Sequence, residues 1–523
     1  MAQALVIGAG IAGLTAGALL AQAGYQTLIL EQAQIPGGCA STFRRRGFTF
    51  DVGATQVAGL EPGGIHHRIF SQLGIELPPA TPCDPACAVF LPGETEPIRV
   101  WRDPQRWQEE RSRQFPGSER FWQLMDQLFA ISWRFQQRDP VVPARNLWDW
   151  GQLIRAMRPD TLLTLPFALM TVGDLLNLLG LGQDYRLRTF LDLQLKLYSQ
   201  VDAEETALLY AATALGVSQT PQGLFHLKGS MQVLSDRLLT ALKNHGGELR
   251  CRQRVEAIHH ENGQVTGVRI RDLKTQQTYD HEAQEIIANI TPQNLLPLLT
   301  AHSSLPTSHF PLSTSHFPLS TSHFPLSTSH FPRSTWQHRI THLPTPSGAF
   351  VVYLGVDQAA IPADCPPHLQ FLYNPAGEIG ENNSLFVSVS QPGDGRAPDG
   401  CATIIASSFV KVDPWWEGDY PARKQAWTEE AIAKLGQYFH LTPDTIHHSE
   451  AATPRTFERY TGRDRGYVGG LSQRIATFGP FGLGPRTAFP HLWLVGDSIH
   501  PGEGTAGVSY GAYTAVQQIL AQS

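Results

Sequence analysis

Cysteine is scarce in this sequence. Six in 523 residues, scattered along the chain, exclude a disulfide scaffold and point to a reducing compartment. The close pair Cys83 and Cys87 has no second ligand pair of matching spacing, so both read as ordinary thiols and no metal site is expected. A basic excess is also missing. Lys and Arg number 40 against 46 Asp and Glu, for a net charge of -6, so no nucleic-acid partner is expected. Only Met1, Ala2 and Gln3 precede the first apolar run, with neither a charged n-region nor a cleavage site. No secretory signal is therefore expected, and the cytoplasmic side of a membrane is the expected location. Long uninterrupted apolar runs are absent too. The most lipid-like segment, "TLLTLPFALMTVGDLLNLLGL" at 161–181, has the length of a span but is interrupted by Pro166 and Gly173 and carries Asp174 and Asn177. Buried helices are expected there, with partial insertion as the alternative. Peripheral docking would then use Leu175 and Leu178.

What is present is the composition of a globular enzyme, 42% apolar and 16% charged, with enough chain for two or three folding units. Residues 4–8 read as a buried strand, 11–23 as an Ala/Leu-rich helix and "QTLILE" as a second strand, a βαβ unit of a doubly wound sheet. A second such region spans 220–300. There "GSMQVLSDRLLTALKNHGG" reads as a helix, and "LRCRQRVEAIHH" and "QVTGVRIRD" as strands joined through an Asn-Gly turn. A third, "LWLVGDSIHPGEGTAGVSYGAYTAVQQIL", lies near residue 500. One sheet is thus expected from three separated pieces. Between 308 and 335 "SHFPLST" runs in four tandem copies. A proline every seven residues excludes a coiled coil, so an extended surface insertion is expected, and His309, His316, His323 and His330 are not taken as metal ligands.

The glycines of "GAGIAG" indicate a dinucleotide. Gly8 suits a tight turn, Gly10 allows backbone to approach a pyrophosphate, and Gly13, after Ala12, allows close helix–strand packing. Glu31, ending the second strand, suits ribose hydroxyls and repels a 2′-phosphate. Two further features select FAD over NAD. Pro36, Gly37 and Gly38 offer a second close backbone approach. Gly496 and Asp497, followed by Gly507 and Val508 at a helix start, suit a ribityl chain and a reduced flavin ring.

Together "LVIGAGIAGLTAG", "PGG", "GSMQVLSDRL", "RVEAI" and "VGDSIHPGEGTAG" resemble the phytoene desaturase and flavin amine oxidase superfamily. "PGGCASTFRRRGFTFDVGAT", "LKLYSQ" and "LYAATALGVSQTPQGLFHLKGSMQVL" resemble its carotenoid desaturase and isomerase branch, nearest to the C-3′,4′ carotenoid desaturases of cyanobacteria. The resemblance implies an α/β (overall α+β) architecture. A Rossmann-like FAD-binding domain would comprise 1–75, 220–300 and 480–523, and an inserted substrate-binding, membrane-associated domain 76–219 and 336–479, with 301–335 a low-complexity loop. It further implies that Val255 offers backbone to adenine and that Gly53 and Ala54 lie near the flavin face. The implied reaction is desaturation of an acyclic carotenoid end group at C-3′,4′, as in myxol-type xanthophyll formation, with hydride passing to flavin. The sequence leaves the final electron acceptor open, with a quinone or oxygen as candidates.

A flavin-dependent carotenoid cis–trans isomerase, an amine oxidase and a flavin-free binder of prenylated proteins are the rival readings. Many relatives carry Arg after the paired glycines. Here Cys39 stands there, leaving Arg44, Arg45 and Arg46 as substitutes. No catalytic residue is assigned. His500 is an acid/base candidate with a competing local structural role. Trp101, Trp107, Trp415 and Trp416 either line a channel or belong to the core.

Overall fold

The computed structural model describes residues 2–300 and 333–522. The strand Gln3–Ile7 is buried over its last four residues, as a parallel strand covered on both faces must be. It pairs in parallel with Gln26–Glu31 on one side and Glu285–Ala288 on the other. Glu248–Cys251 extends the sheet past Gln26–Glu31, and Leu492–Leu494 forms the opposite edge. Three remote pieces of chain do build one five-stranded parallel sheet. Helix Ile11–Gln22 has no polar stripe because it is enclosed between the sheet, helix Gln232–Asn244 and the final helix Thr505–Leu520.

One expected strand is in fact two. Arg252 adopts left-handed backbone, φ +59°, and splits "LRCRQRVEAIHH". Glu248–Cys251 stays in the parallel sheet, while Gln253–Glu261 joins Gln264–Asp272 and Thr278–Glu282 in an antiparallel one. The expected hairpin is present, with Asn262 and Gly263 both at positive φ.

A second, seven-stranded sheet forms the floor of the other half. Its central ladder pairs Gly348–Asp357 with Cys401–Val410 over ten residues. The period-two alternation gives it two working faces. Phe350, Val352, Leu354 and Val356 pack with Trp415, Leu435 and Phe439, under helix Tyr420–Leu435. Val351 and Tyr353 face the opposite way, against Phe48 and Phe50. Helices between 104 and 216 close the remaining side.

The lipid-like segment is broken into helix Pro159–Leu162, a 3-10 turn at Leu165–Phe167 and helix Val172–Leu178. Asp174 is a capping residue: its carboxylate accepts from Thr171 N, while Asp174 N donates to the Thr171 hydroxyl. Among the described residues no helix is long and apolar enough to cross a membrane. Leu175 is fully buried in the helical core, which corrects its expected docking role; Leu178 is 70% exposed. Of the two readings left open for the tryptophans, channel or core, the structure supports core for two of them. Trp107 packs with Trp122 and Phe190, and Trp415 stacks on Phe350, so both are core. Trp101 and Trp416 lie under the guanidinium groups of Arg106 and Arg455. Cys83 and Cys87 are buried, and burial pushes the Cys83 thiol up to about 12. His309, His316, His323 and His330 lie outside the described residues.

Candidate cofactor and substrate site

The glycine turn after the first strand is tight on every side. Gly8 sits at φ +92°, where a side chain is strained. A Cβ on Gly13 would lie 2.0 Å from the Gly8 carbonyl oxygen, so that glycine is required for the helix to sit against the turn. The second glycine motif folds onto the first. Gly37 N donates to Ala9 O at 2.8 Å, and a Cβ on Gly38 would come within 3.5 Å of Gly10 Cα. Glu31 closes the turn from the next strand, accepting from Ala9 N at 2.7 Å and Ala33 N at 2.8 Å. Burial raises its carboxyl pKa against those backbone donors.

A single cavity of about 1610 Å³ runs through the site. Gly8, Gly10, Ala12, Glu31, Gly37, Gly38, Gly53, Ala54, Val255, Gly496, Asp497, Gly507 and Val508 all line it. Gly13 does not, because its part is packing. Val255 stands where the ladder slips between Val255 and Ala257, a bulge that leaves one residue of that strand unpaired beside the cavity. The space is larger than a pocket for one small ligand and continues beyond the glycine turns. There Trp133, Tyr198, Tyr210, Phe386, Phe409 and Phe478 line it, aromatics other than those the sequence singles out.

Several site residues have no sequence motif. Asn289, just past strand Glu285–Ala288, donates from Nδ2 to Gly8 O at 3.2 Å, and a Cβ on Gly496 would lie 3.0 Å from its Oδ1. It therefore clasps the first and last glycine turns together. Glu503 and Thr505 line the cavity, and Glu503 Oε1 and the Thr505 hydroxyl are buried without partners. Burial, reinforced by Asp497, raises the Glu503 carboxyl well above the usual carboxylate range, against the lowering effects of Gln200 and Arg463. Unpartnered buried polar atoms beside a glycine-built cradle fit a polar cofactor. Arg396 clamps the two halves. It donates to Asp51 at 3.0 Å, Asp394 at 3.1 Å and Leu227 O at 2.7 Å, and lies 2.9 Å from His226 Nε2.

His500 does not line the cavity. Its Nε2 lies 3.4 Å from Gln136, and burial lowers its pKa to about 4. The unfolded chain would take up a proton below the ordinary value of 6.5, while the folded protein resists until about 4. Stability linked to His500 is therefore lost as pH falls through that window. Urea unfolding of a His500→Gln variant should show a loss between pH 7 and pH 5 that is smaller than in the parent by about 2 kcal/mol. Equal losses would mean that His500 titrates normally.

An NAD(P)-binding Rossmann-like domain model matches residues 6–73. Over 99% of its length the chain is 26% identical to prolycopene isomerase 2, chloroplastic, of an Oncidium hybrid cultivar, covering 84% of that protein. Over 51% of its length it is 26% identical to half of a 4,4′-diapophytoene desaturase (4,4′-diapolycopene-forming) of a Methylomonas species. A triple mutant of putrescine oxidase superposes with a TM-score of 0.62 at 15% identity, covering 100% of this chain and 99% of that one. These likenesses support the phytoene desaturase and flavin amine oxidase superfamily that the glycine motifs resemble, and the superposition shows a shared fold. The superfamily's usual arginine after the paired glycines is absent. Of the substitutes expected from the sequence, Arg45 lines the cavity but pairs with Glu450 at 3.3 Å, Arg46 donates to His447 O at 3.1 Å, and neither Arg44 nor Arg46 lines the cavity.

Proposed function

We propose that this protein is an FAD-dependent carotenoid desaturase that introduces a double bond at C-3′,4′ of an acyclic end group. The observation that carries the reading is the cavity itself, continuous from the Gly8 turn past Asp497 into an aromatic-lined chamber. Gly8, Gly10, Ala12, Gly37 and Gly38 would hold the pyrophosphate by backbone, with Gly13 letting the helix approach. Glu31 and Val255 would hold the adenosine end. Gly496, Asp497, Gly507 and Val508 would hold the ribityl chain and ring, beside Gly53 and Ala54. Bound FAD supplies a hydride acceptor.

The chain's own residues orient the polyene and exclude water. Phe386 and Phe409 offer flat apolar walls, and Lys196, Gln370, Ser384 and Ser408 give one stretch of the lining a polar character that suits a hydroxyl-bearing end group. Glu503 lines the same cavity with its Oε1 buried and unpartnered. The whole-length likeness to a prolycopene isomerase favours a second reading, carotenoid cis–trans isomerisation on the same cofactor.

Anaerobic holoenzyme incubated with acyclic carotenes separates the readings. A product two mass units lighter, with red-shifted absorption and stoichiometric bleaching of the flavin, is expected for desaturation. An isomer of unchanged mass overturns desaturation in favour of the second reading.

A lipid-borne substrate requires a membrane face. Leu162, Leu163, Leu165 and Leu169 are each more than half exposed. Arg134 pairs with Asp160 at 3.1 Å and Arg138 donates to Thr161 at 3.0 Å, fixing this patch to the end of the helix whose Trp133 and Gln136 line the cavity. Leu163→Lys combined with Leu169→Lys is expected to weaken liposome binding at least about tenfold, because each change removes buried apolar area and inserts a charge. Flavin content should stay at the parental level. Undiminished sedimentation with liposomes would move the docking face elsewhere.

A further inference from the structure

Resting on the FAD reading, we infer that Arg463 is the cation for the pyrophosphate, supplied from across the cavity to the place where the second glycine motif has Cys39. A pyrophosphate brings two negative charges, and a helix N-terminus offers only about half a positive one. Arg463 lines the cavity together with Gly10, Gly38, Cys39 and Asp497. It stands close enough to Cys39 to oppose, electrostatically, the rise that burial imposes on that thiol. Its Nη2 donates to Asp497 Oδ2 at 2.5 Å, and its Nη1 to Tyr467 O at 3.4 Å.

The loop that carries it is pinned on both sides by one residue. Asn294 donates to Gly462 O at 3.1 Å and accepts from Asp464 N at 2.9 Å. Asn294 follows the strand Glu285–Ala288, so the guanidinium is held beyond the carboxyl ends of the parallel strands, where this class of sheet binds its ligands. Of the other cations lining the cavity, Arg45 pairs with Glu450, Arg68 with Asp139 at 2.6 Å and Arg254 with Gln32 at 3.2 Å, Arg459 lies over the Tyr460 ring, and Lys196 shares the stretch of lining with Gln370 and Ser384. The side chain is therefore oriented before any ligand arrives. Asp497 anchors the guanidinium through Oδ2, while its Oδ1 accepts from the Ser498 hydroxyl at 3.4 Å.

The test uses the full chain stripped of flavin and three probes: FAD, ADP and riboflavin. Arg463→Gln is expected to weaken FAD and ADP by about 10- to 100-fold, the loss of one charge-assisted contact, and to leave riboflavin unchanged. Arg463→Lys, which keeps the charge without the planar fork, should fall between. Adding Cys39→Arg to the Arg463→Gln chain should recover at least about tenfold in ADP affinity by restoring the cation from the other side. ADP affinity indifferent to the charge at 463, or riboflavin weakened as much as ADP, would overturn the assignment. Failure of the parent chain to bind FAD would instead defeat the reading on which it rests.

Discussion

Arg396→Met is expected to destabilise the protein by about 3–5 kcal/mol, the cost of leaving a buried charge without its partner. The side chains of Arg396 and Asp51 are 2% and 1% exposed, so water cannot take over either one. Asp394 would lose the same guanidinium and retain only His226, 3.0 Å away, and backbone donors. The pair is placed where the two halves of the molecule meet. Arg396 lies between strands Ser384–Val389 and Cys401–Val410 of the seven-stranded sheet, while Asp51 ends the strand leading to Gly53 and Ala54. Asp51 also accepts from Met231 N at 2.8 Å, just ahead of helix Gln232–Asn244. Urea unfolding of Arg396→Met, of Asp51→Asn and of the double variant would measure the coupling. The double variant should be clearly more stable than the sum of the single losses predicts. Additive losses, or an unchanged midpoint for Arg396→Met, would show that the clamp contributes nothing.

Gly13→Val is expected to lower FAD affinity by at least about 100-fold, a cost at the upper end of overpacking. Even the first carbon of a side chain there meets the Gly8 carbonyl oxygen at 2.0 Å, and Asn289 crowds it from the other side at 3.0 Å. Backbone cannot step aside as a side chain can, so the helix must back away from the turn and carry its N–H groups off the pyrophosphate. Gly17 is the internal control. A Cβ there would meet the terminal methyl of Ile29 at 2.6 Å, a flexible end that can rotate away. Gly17→Ala should therefore keep its flavin. Fluorescence titration of both variants decides the matter, and equal retention of flavin by Gly13→Val would show that the helix can be displaced without harm.

The parallel sheet and its glycine turns are legible in the sequence because they depend on local pattern. A continuous apolar run such as "ALVI", a glycine needing φ +92° and an acid at the end of the next strand are each recognisable without the rest of the chain. The same holds for the Asn262–Gly263 hairpin. What is not legible depends on partners far away in sequence. Composition leaves Trp107 and Trp415 open between channel and core, because their surroundings are set by Trp122, Phe190, Phe350 and Trp427. Leu175 and Leu178 lie three residues apart in one helix, yet one is enclosed by the helical core and the other exposed. The kink at Arg252 has no glycine to announce it. Asn289, Arg396, Arg463 and Glu503 belong to no motif, and their significance appears only when strands meet from opposite ends of the chain.

The way the parallel sheet is gathered sets the order in which it can be completed. Its strand Gln3–Ile7 is made long before Leu492–Leu494 and the helix Thr505–Leu520 that covers Ile11–Gln22. Until they arrive, one apolar flank of helix Ile11–Gln22 lacks its native cover, and exposed surface of this kind is prone to aggregation. A coenzyme gripped by both the Gly8 turn and the Asp497 corner can bind only after both have been made, so a product truncated before residue 492 is expected to stay colourless.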